Sequence, residues 1–203
     1  MTKIKISGLV VSEPQFSHES YGEDFYEFQL DSERTSGTND VVNVLVPKGL
    51  VWKIVIGTEI EVCGEIRTYN KCRKTKLMVF AETILEHYGS DENIVEIIGY
   101  VCQEPTFRTT PLGRHITDLL IASNRLHNAS DYIPCIAWGR FAYESAEYKV
   151  GQKVVIVGRL QSRDYLKRLE DGNSEVRTTY EVSAKHISCY REEDDASKNN
   201  DDC

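Results

Sequence analysis

The chain repeats itself. Ile6-Ser7-Gly8-Leu9-Val10-Val11-Ser12-Glu13-Pro14-Gln15-Phe16 aligns with Ile97-Ile98-Gly99-Tyr100-Val101-Cys102-Gln103-Glu104-Pro105-Thr106-Phe107 at an offset of 91 residues. The same offset carries Gly22 onto Gly113, Arg34 onto Arg125 and Asp40 onto Asp131. Further on it becomes 94, so that Gly57 and Gly64 fall on Gly151 and Gly158, and near the end 103, where Ala81-Glu82-Thr83-Ile84 falls on Ala184-Lys185-His186-Ile187. Chance rarely preserves such an order of glycines and apolar runs, so the two halves are expected to share one fold.

That fold is legible in the second copy. Tyr132 to Arg140 is a strand-like run ending at glycine, and Phe141 to Lys149 is long enough for about two helical turns. Gly151 to Arg163 is a long strand with Gly158 in its middle. An interior glycine marks a sharp bend or a close backbone approach. Strand, small helix and bent strand fit the closure of an OB-fold barrel. The pattern predicts strands near 94–103, 115–123, 131–138, 152–164 and 177–189, with Leu166 to Val176 forming an arm that turns at Asp171-Gly172. In the first copy, strands are expected near 3–12, 25–31, 41–46, 58–69 and 76–86, and Tyr26, Phe28 and Leu30 alternate with polar residues as in a half-buried strand. Pro47-Lys48-Gly49 replaces Trp138-Gly139-Arg140 there, so its helix is expected to be short or absent, and Trp52 to be buried. The expectation is an all-β chain of two tandem OB-fold five-stranded Greek-key barrels, each with at most one short helix. The first covers residues 1–88 and the second 93–190, joined by the polar linker His87 to Glu92.

Charge divides unevenly. The formal net charge of −8 splits into −3 for residues 1–90, −1 for 91–190 and −4 for 191–203. The last stretch has nothing to bury and reads as a disordered acidic tail. The nearly neutral second half can still carry a local basic groove, which is all that tracking a phosphate backbone requires. No apolar run approaches the roughly eighteen residues of a membrane span. No signal-type segment opens the chain, which points to the cytoplasm. The cysteines (Cys63, Cys72, Cys102, Cys135, Cys189, Cys203) form no Cys-x-x-Cys pair, and most sit in apolar runs where a free thiol behaves as a small buried hydrophobe. Cys203 is the one expected to be reactive.

Trp138-Gly139-Arg140, Val150-Gly151, Val157-Gly158-Arg159-Leu160-Gln161-Ser162-Arg163 and Thr178-Thr179-Tyr180-Glu181-Val182 together resemble the bacterial and phage single-stranded DNA-binding proteins. Upstream, Pro105, Pro111-Leu112-Gly113 and Ala122-Ser123-Asn124-Arg125 resemble them too. The likeness runs from Asn93 to Cys189. It implies sequence-independent binding of single-stranded DNA, with bases stacked on Trp138 and Tyr165 and with Tyr132 and Phe107 on or beside the same strands. Arg108, Arg114, Arg125, Arg140, Arg159, Arg163, Lys167 and Arg168 interleave with these aromatics as candidate phosphate contacts, and for Arg159, Arg163 and Arg168 a solvated strand end reads equally well. Alternation leaves two readings of Trp138 and Tyr132: both lie on one strand face, but Ile136 shares it, so core packing and base stacking both stand.

The first copy departs from this pattern, with Pro47, Val41 and Glu65 where the second has Trp138, Tyr132 and Arg159. Its candidate contacts are Lys71, Arg73 and Lys74 on a hairpin, beside Arg67, Tyr69 and Lys76. No phosphate-binding loop, His-Glu-x-x-His or Gly-x-Ser-x-Gly motif is present, so no enzyme activity, cofactor or metal is expected. The reading is protection of single-stranded DNA in replication, recombination or repair by a nucleoid-associated homodimer presenting four barrels. The acidic tail resembles the family's tail for recruiting replication and repair proteins but ends in Asp202-Cys203, without the usual apolar cap. Two alternatives stay open: a protein-interaction OB module like a primosome accessory protein, and an OB-fold that binds RNA or oligosaccharide.

Overall fold

The computed structural model describes residues 1–34, 36–71, 74–125, 129–168 and 172–190, with the side chains of residues 70, 71, 74 and 75 outside that description. The expected tail and Arg73 lie outside the described residues. The first half contains β1 (Thr2–Val10), β2 (Gln15–Ser20), β3 (Glu23–Glu33), β4 (Asn39–Pro47), a 3-10 helix (Lys48–Lys53), β5 (Glu59–Lys71) and β6 (Lys74–Glu86). The second contains β7 (Asn93–Val101), β8 (Thr106–Thr109), β9 (His115–Asn124), β10 (Ser130–Trp138), α1 (Arg140–Ala146), β11 (Lys153–Arg168) and β12 (Ser174–Cys189).

Each half closes into the same Greek-key barrel. In the first, β1 pairs with β5 and, past Gly8, with β3; β3 pairs with β4, β4 runs parallel to β6, and β6 returns to β5. The second repeats this with β7, β9, β10, β12 and β11. Both halves are OB-folds. Their ladders shift register at matched places, between Cys63 and Gly64 and between Val157 and Gly158. The reason is steric. A Cβ on Gly64 would sit 1.9 Å from the carbonyl oxygen of Phe80, and one on Gly158 would sit 2.4 Å from that of Ser183. Only glycine lets the backbones approach so closely at the bend.

The barrels join through antiparallel pairing of β1 with β7, which brings Thr2 opposite Ile97, Ile4 opposite Val95 and Ile6 opposite Asn93. Ile4 and Val95 are repeat equivalents, so a local pseudo-two-fold axis passes between them. Ile4, Ile6, Val95 and Ile97 are all buried there, within an apolar cluster that runs through both barrels.

Three expectations need correction. Strands β2 and β8 are additional; their residues are almost all exposed, so they carry no apolar alternation to betray them. Trp52 is 75% exposed. In a 3-10 helix side chains align every three residues, so Leu50, Val51 and Ile54 turn to the core and Trp52 turns out, with the Lys53 ammonium 5.5 Å from its ring. Of the cysteines described, only Cys135 is buried, Cys63 and Cys102 are half-buried, and Cys189 is exposed. Cys203 is outside the described residues.

Candidate nucleic-acid interface

On β11, residues of the bent strand alternate between the core and an outer face. Val154, Ile156 and Leu160 are buried in the core. Arg159, Gln161, Arg163, Tyr165 and Lys167 share the other face because the side-chain period of a strand is two. Arg163, Tyr165 and Lys167 are exposed and Arg159 is half-buried. Arg168 projects to the opposite side of the arm, whose ladder continues to Arg168 opposite Ser174.

Trp138 stands on the corresponding face of β10. It is half-buried, and its indole N–H donates to Ser183 Oγ at 3.1 Å, which fixes the ring across β12. Ile136 on the same face is buried, whereas Tyr132 is 50% exposed and its backbone N–H donates to Thr68 Oγ1 of the first barrel at 3.1 Å. Phe107 on β8 packs in a cluster with His115 (5.6 Å between ring centroids) and Tyr143 (5.2 Å). The sequence reading passed over His115 and Tyr143; only the return of β9 and α1 beside β8 brings them to Phe107.

The arginines differ in what they already hold. Arg108 is ion-paired with Asp118, its Nη2 donating to Oδ1 at 3.0 Å. Arg163 lies 3.7 Å from Glu181, which in turn accepts a hydrogen bond from Gln161 at 2.9 Å. Arg140 stacks on Phe141, 4.5 Å from the ring centroid, and Arg114 is exposed in the turn before β9. Arg125 is different in kind: it belongs to the seam, 2.8 Å from the buried Asp131. The charged groups on this face are therefore a mixture of arginines and carboxylates rather than a purely basic stripe.

In the first barrel, Lys71 and Lys74 have side chains outside the description. The equivalent outer face instead presents Phe25, Arg67, Tyr69 and Phe80, with the Arg67 guanidinium 3.3 Å from the centroid of the Phe80 ring. Phe25 and Phe80 each sit one residue out of phase with a neighbour that packs on the core, the half-buried Tyr26 or the buried Val79, on its own strand.

The model of the single-strand binding protein family matches residues 92–190. Among curated proteins, the chain is 34% identical over 80 residues to single-stranded DNA-binding protein B of Bacillus subtilis, covering 36% of this chain and 71% of that one. It has the same identity over 80 residues with the single-stranded DNA-binding protein of Clostridium tetani, covering 36% of this chain and 55% of that one. The chain spans about half the length of several curated relatives it matches. The crystal structure of the wild-type single-stranded DNA-binding protein of Thermus aquaticus superimposes on both barrels with a TM-score of 0.74 at 20% identity, covering 94% of this chain and 93% of that one, which speaks to the fold. With its second barrel matched end to end and most of the Bacillus protein's length covered at that identity, the chain belongs to the single-strand binding protein family.

Proposed function

We propose that this chain binds single-stranded DNA without sequence preference and protects it during replication, recombination or repair. What carries the reading is the outer face of the second barrel, where Trp138, Tyr132 and Tyr165 offer π-surfaces among Arg159, Arg163 and Lys167. Unpaired bases stack on such surfaces whatever their identity, and the cations follow the phosphates. The names of the curated relatives, single-stranded DNA-binding proteins, agree with it. Two barrels, residues 1–88 and 93–190, form the binding unit, and a homodimer with closed two-fold symmetry would bring four barrels together. No helix among the described residues is long and apolar enough to cross a membrane, in keeping with a cytoplasmic, nucleoid-associated role. The acidic tail, residues 191–203, competes with phosphate for the groove and offers replication and repair proteins a contact.

The test is a fluorescence titration with poly-dT at two salt concentrations. Strong quenching of Trp138 emission, weakening as salt rises, is the expected result. Binding of a protein partner with no quenching by any oligonucleotide would support a protein-interaction module instead.

A further inference from the structure

Two strand edges of this chain stand open, and they are opposite in charge. The first is on β6, whose ladder with β4 covers only Val79 and Phe80, so that Ala81 to Glu86 pairs with β5 on one side alone. The N–H of His87 donates to the carbonyl of Glu59, and the alternation of an antiparallel ladder then turns the amides of Ile84 and Glu86 away from β5. Beside this edge lies a cleft of about 730 Å³ lined by Trp52, Val55, Ile60, Leu85 and Tyr88. All of these but Ile60 are exposed. Lys53 reaches into the same place but is spent on the Ile84 carbonyl, at 2.7 Å. Two carboxylates complete the cleft: Glu86, which accepts from the Tyr88 hydroxyl, and Glu59, for which no ion pair is found among the described residues. The second barrel has Lys149, Lys153 and Ser188 where the first has Val55, Glu59 and Leu85, so it shares neither the lining nor the charge.

The second open edge is on the arm. β11 pairs with β7 only as far as Gly158. Beyond it, Asn93 bonds the N–H and carbonyl of Leu160, and Asp40 and Arg34 hold those of Ser162. The ladder with β12 continues without a shift to Arg168, so the amides of Asp164, Leu166 and Arg168 face outward in the same way. No partner for them is found among the described residues. On that side of the arm the Leu166 side chain and Val176 opposite it are exposed, as is Arg168, while Asp164 is held by the Thr178 hydroxyl. Tyr165 and Lys167 project to the other face. An open edge is a template for another chain, and no proline interrupts either of these two.

We propose that the two edges meet between copies of this chain: the arm of one molecule adds as a strand to β6 of the next, Leu166 entering the cleft of Trp52 and Tyr88 and Arg168 meeting Glu59 and Glu86. The arm supplies what the cleft lacks, an extended backbone carrying an exposed apolar side chain and a cation on one face. Backbone pairing gives such a contact its affinity and the side-chain pockets its selectivity. Because two different surfaces meet, each added molecule leaves one arm and one cleft open, and the contact propagates instead of closing. It is thus distinct from a two-fold homodimer. Along a single strand it sets neighbours in a row and makes binding cooperative; that use rests on the single-strand reading, whereas the contact itself does not.

The first measurement needs no DNA. Sedimentation velocity of the full chain from micromolar to submillimolar concentration should show species growing past the homodimer. Glu86→Lys and Arg168→Glu should each weaken that growth by about tenfold or more, and the combined Glu86→Lys/Arg168→Glu chain should regain most of it. Thermal melting checks that every variant is folded. Wild type that never grows past the dimer overturns the contact and leaves the cleft to a protein of another kind. Single reversals that associate like wild type, or a folded combined variant that does not recover, overturn it equally. The second measurement uses dT oligomers of about 8 nucleotides, within the span of one OB-fold, and long poly-dT. Glu86→Lys should bind the short oligomer at least as tightly as wild type and lose cooperativity on the long one; unchanged cooperativity overturns the role on the strand. Wild type that grows in solution yet binds neither oligomer sinks the single-strand reading and leaves the contact standing.

Discussion

The Asp40 carboxylate of the first barrel accepts hydrogen bonds from both the backbone N–H (2.6 Å) and the hydroxyl (2.8 Å) of Ser162 in the second. Across the pseudo-two-fold axis, Asp131 accepts from the N–H and hydroxyl of Thr68. Thr68 and Ser162 are themselves repeat equivalents, as are Arg34 and Arg125 behind the two carboxylates. The seam is thus latched twice by the same buried device, and the latch holds the two outer faces side by side.

Asp40→Ala should be strongly destabilising. Asp40 is fully buried, and its loss leaves the Ser162 N–H without its acceptor and the Arg34 guanidinium without its counter-charge, held by the Ser162 carbonyl alone. Removing one member of such a buried pair costs about 3–5 kcal/mol. Urea unfolding measures it, and the combined Arg34→Ala/Asp40→Ala variant should lose less than the two single losses together. A single-variant loss below about 1 kcal/mol would contradict the latch.

The two latches should respond to acid with opposite sign. Burial pushes the Asp40 carboxyl up, but the Arg34 guanidinium and Ser162 more than offset it, so the group is held below its ordinary value of 3.8. For Asp131 burial prevails over Thr68 and Arg125, and the group lies above 3.8. A depressed carboxyl contributes stability that is present above its unfolded value and is lost as pH falls through the folded one. A raised carboxyl takes up its proton first in the folded state, so it weakens the fold at neutral pH and ceases to do so as pH falls toward 3.8. Asp40→Asn should therefore flatten the acid-side loss of stability, and Asp131→Asn should steepen it. Urea melts between about pH 3 and pH 7 test this; a change of the same sign in both variants would refute it.

Gly64→Ala should prevent normal closure of the first barrel. The added Cβ would meet the Phe80 carbonyl at 1.9 Å, and backbone cannot rotate aside as a side chain can. The expected loss exceeds the ~1–3 kcal/mol typical of overpacking. Circular dichroism and thermal unfolding would show it, and a melt within a few degrees of wild type would contradict the steric account. Because Phe80 lies on the outer face, the same change should also disturb that face.

Much of the fold was legible because it is written twice. The glycine order and the offsets carry Arg34 and Asp40 onto Arg125 and Asp131, and those residues do occupy matched places. Their partners were not legible, since Ser162 lies 122 residues from Asp40 and nothing local relates them. The candidate site divides similarly. The outward face of Arg159, Arg163 and Tyr165 follows from strand period alone. Phe25 and Phe80 do not stand out because they replace, rather than repeat, the aromatic of the second barrel, and comparison by offset looks only where Trp138 has a counterpart. Strands β2 and β8, exposed on nearly every residue, leave no pattern to read.

Trp52 supplies a simple check on the corrected 3-10 helix. An exposed side chain away from core and network usually contributes within about 0.5 kcal/mol of nothing. Trp52→Ala should thus melt close to wild type, and the wild-type emission should contain a solvent-exposed, red-shifted component that this variant lacks. A large loss of stability would show that the ring is packed after all.

The last prediction separates the arginines by what each must give up to reach a phosphate. Trp138→Ala removes a stacking surface worth ~1–3 kcal/mol per base, and should weaken poly-dT binding by roughly fivefold to a hundredfold at any one salt concentration. Its slope of log K against log salt should hardly change, because no cation is lost. Arg159→Gln removes a guanidinium for which no ion pair is found among the described residues, and should flatten that slope by about 0.7, the value for one phosphate contact on a single strand. Arg108 is already neutralised by Asp118 and must break that pair before it can release a counterion. Arg108→Gln should therefore flatten the slope by clearly less than 0.7, while leaving Asp118 to repel the strand and lower the affinity. Titrations at four or more salt concentrations distinguish the three variants. Equal slope changes for Arg108→Gln and Arg159→Gln would mean that internal pairing does not govern which arginines meet the strand.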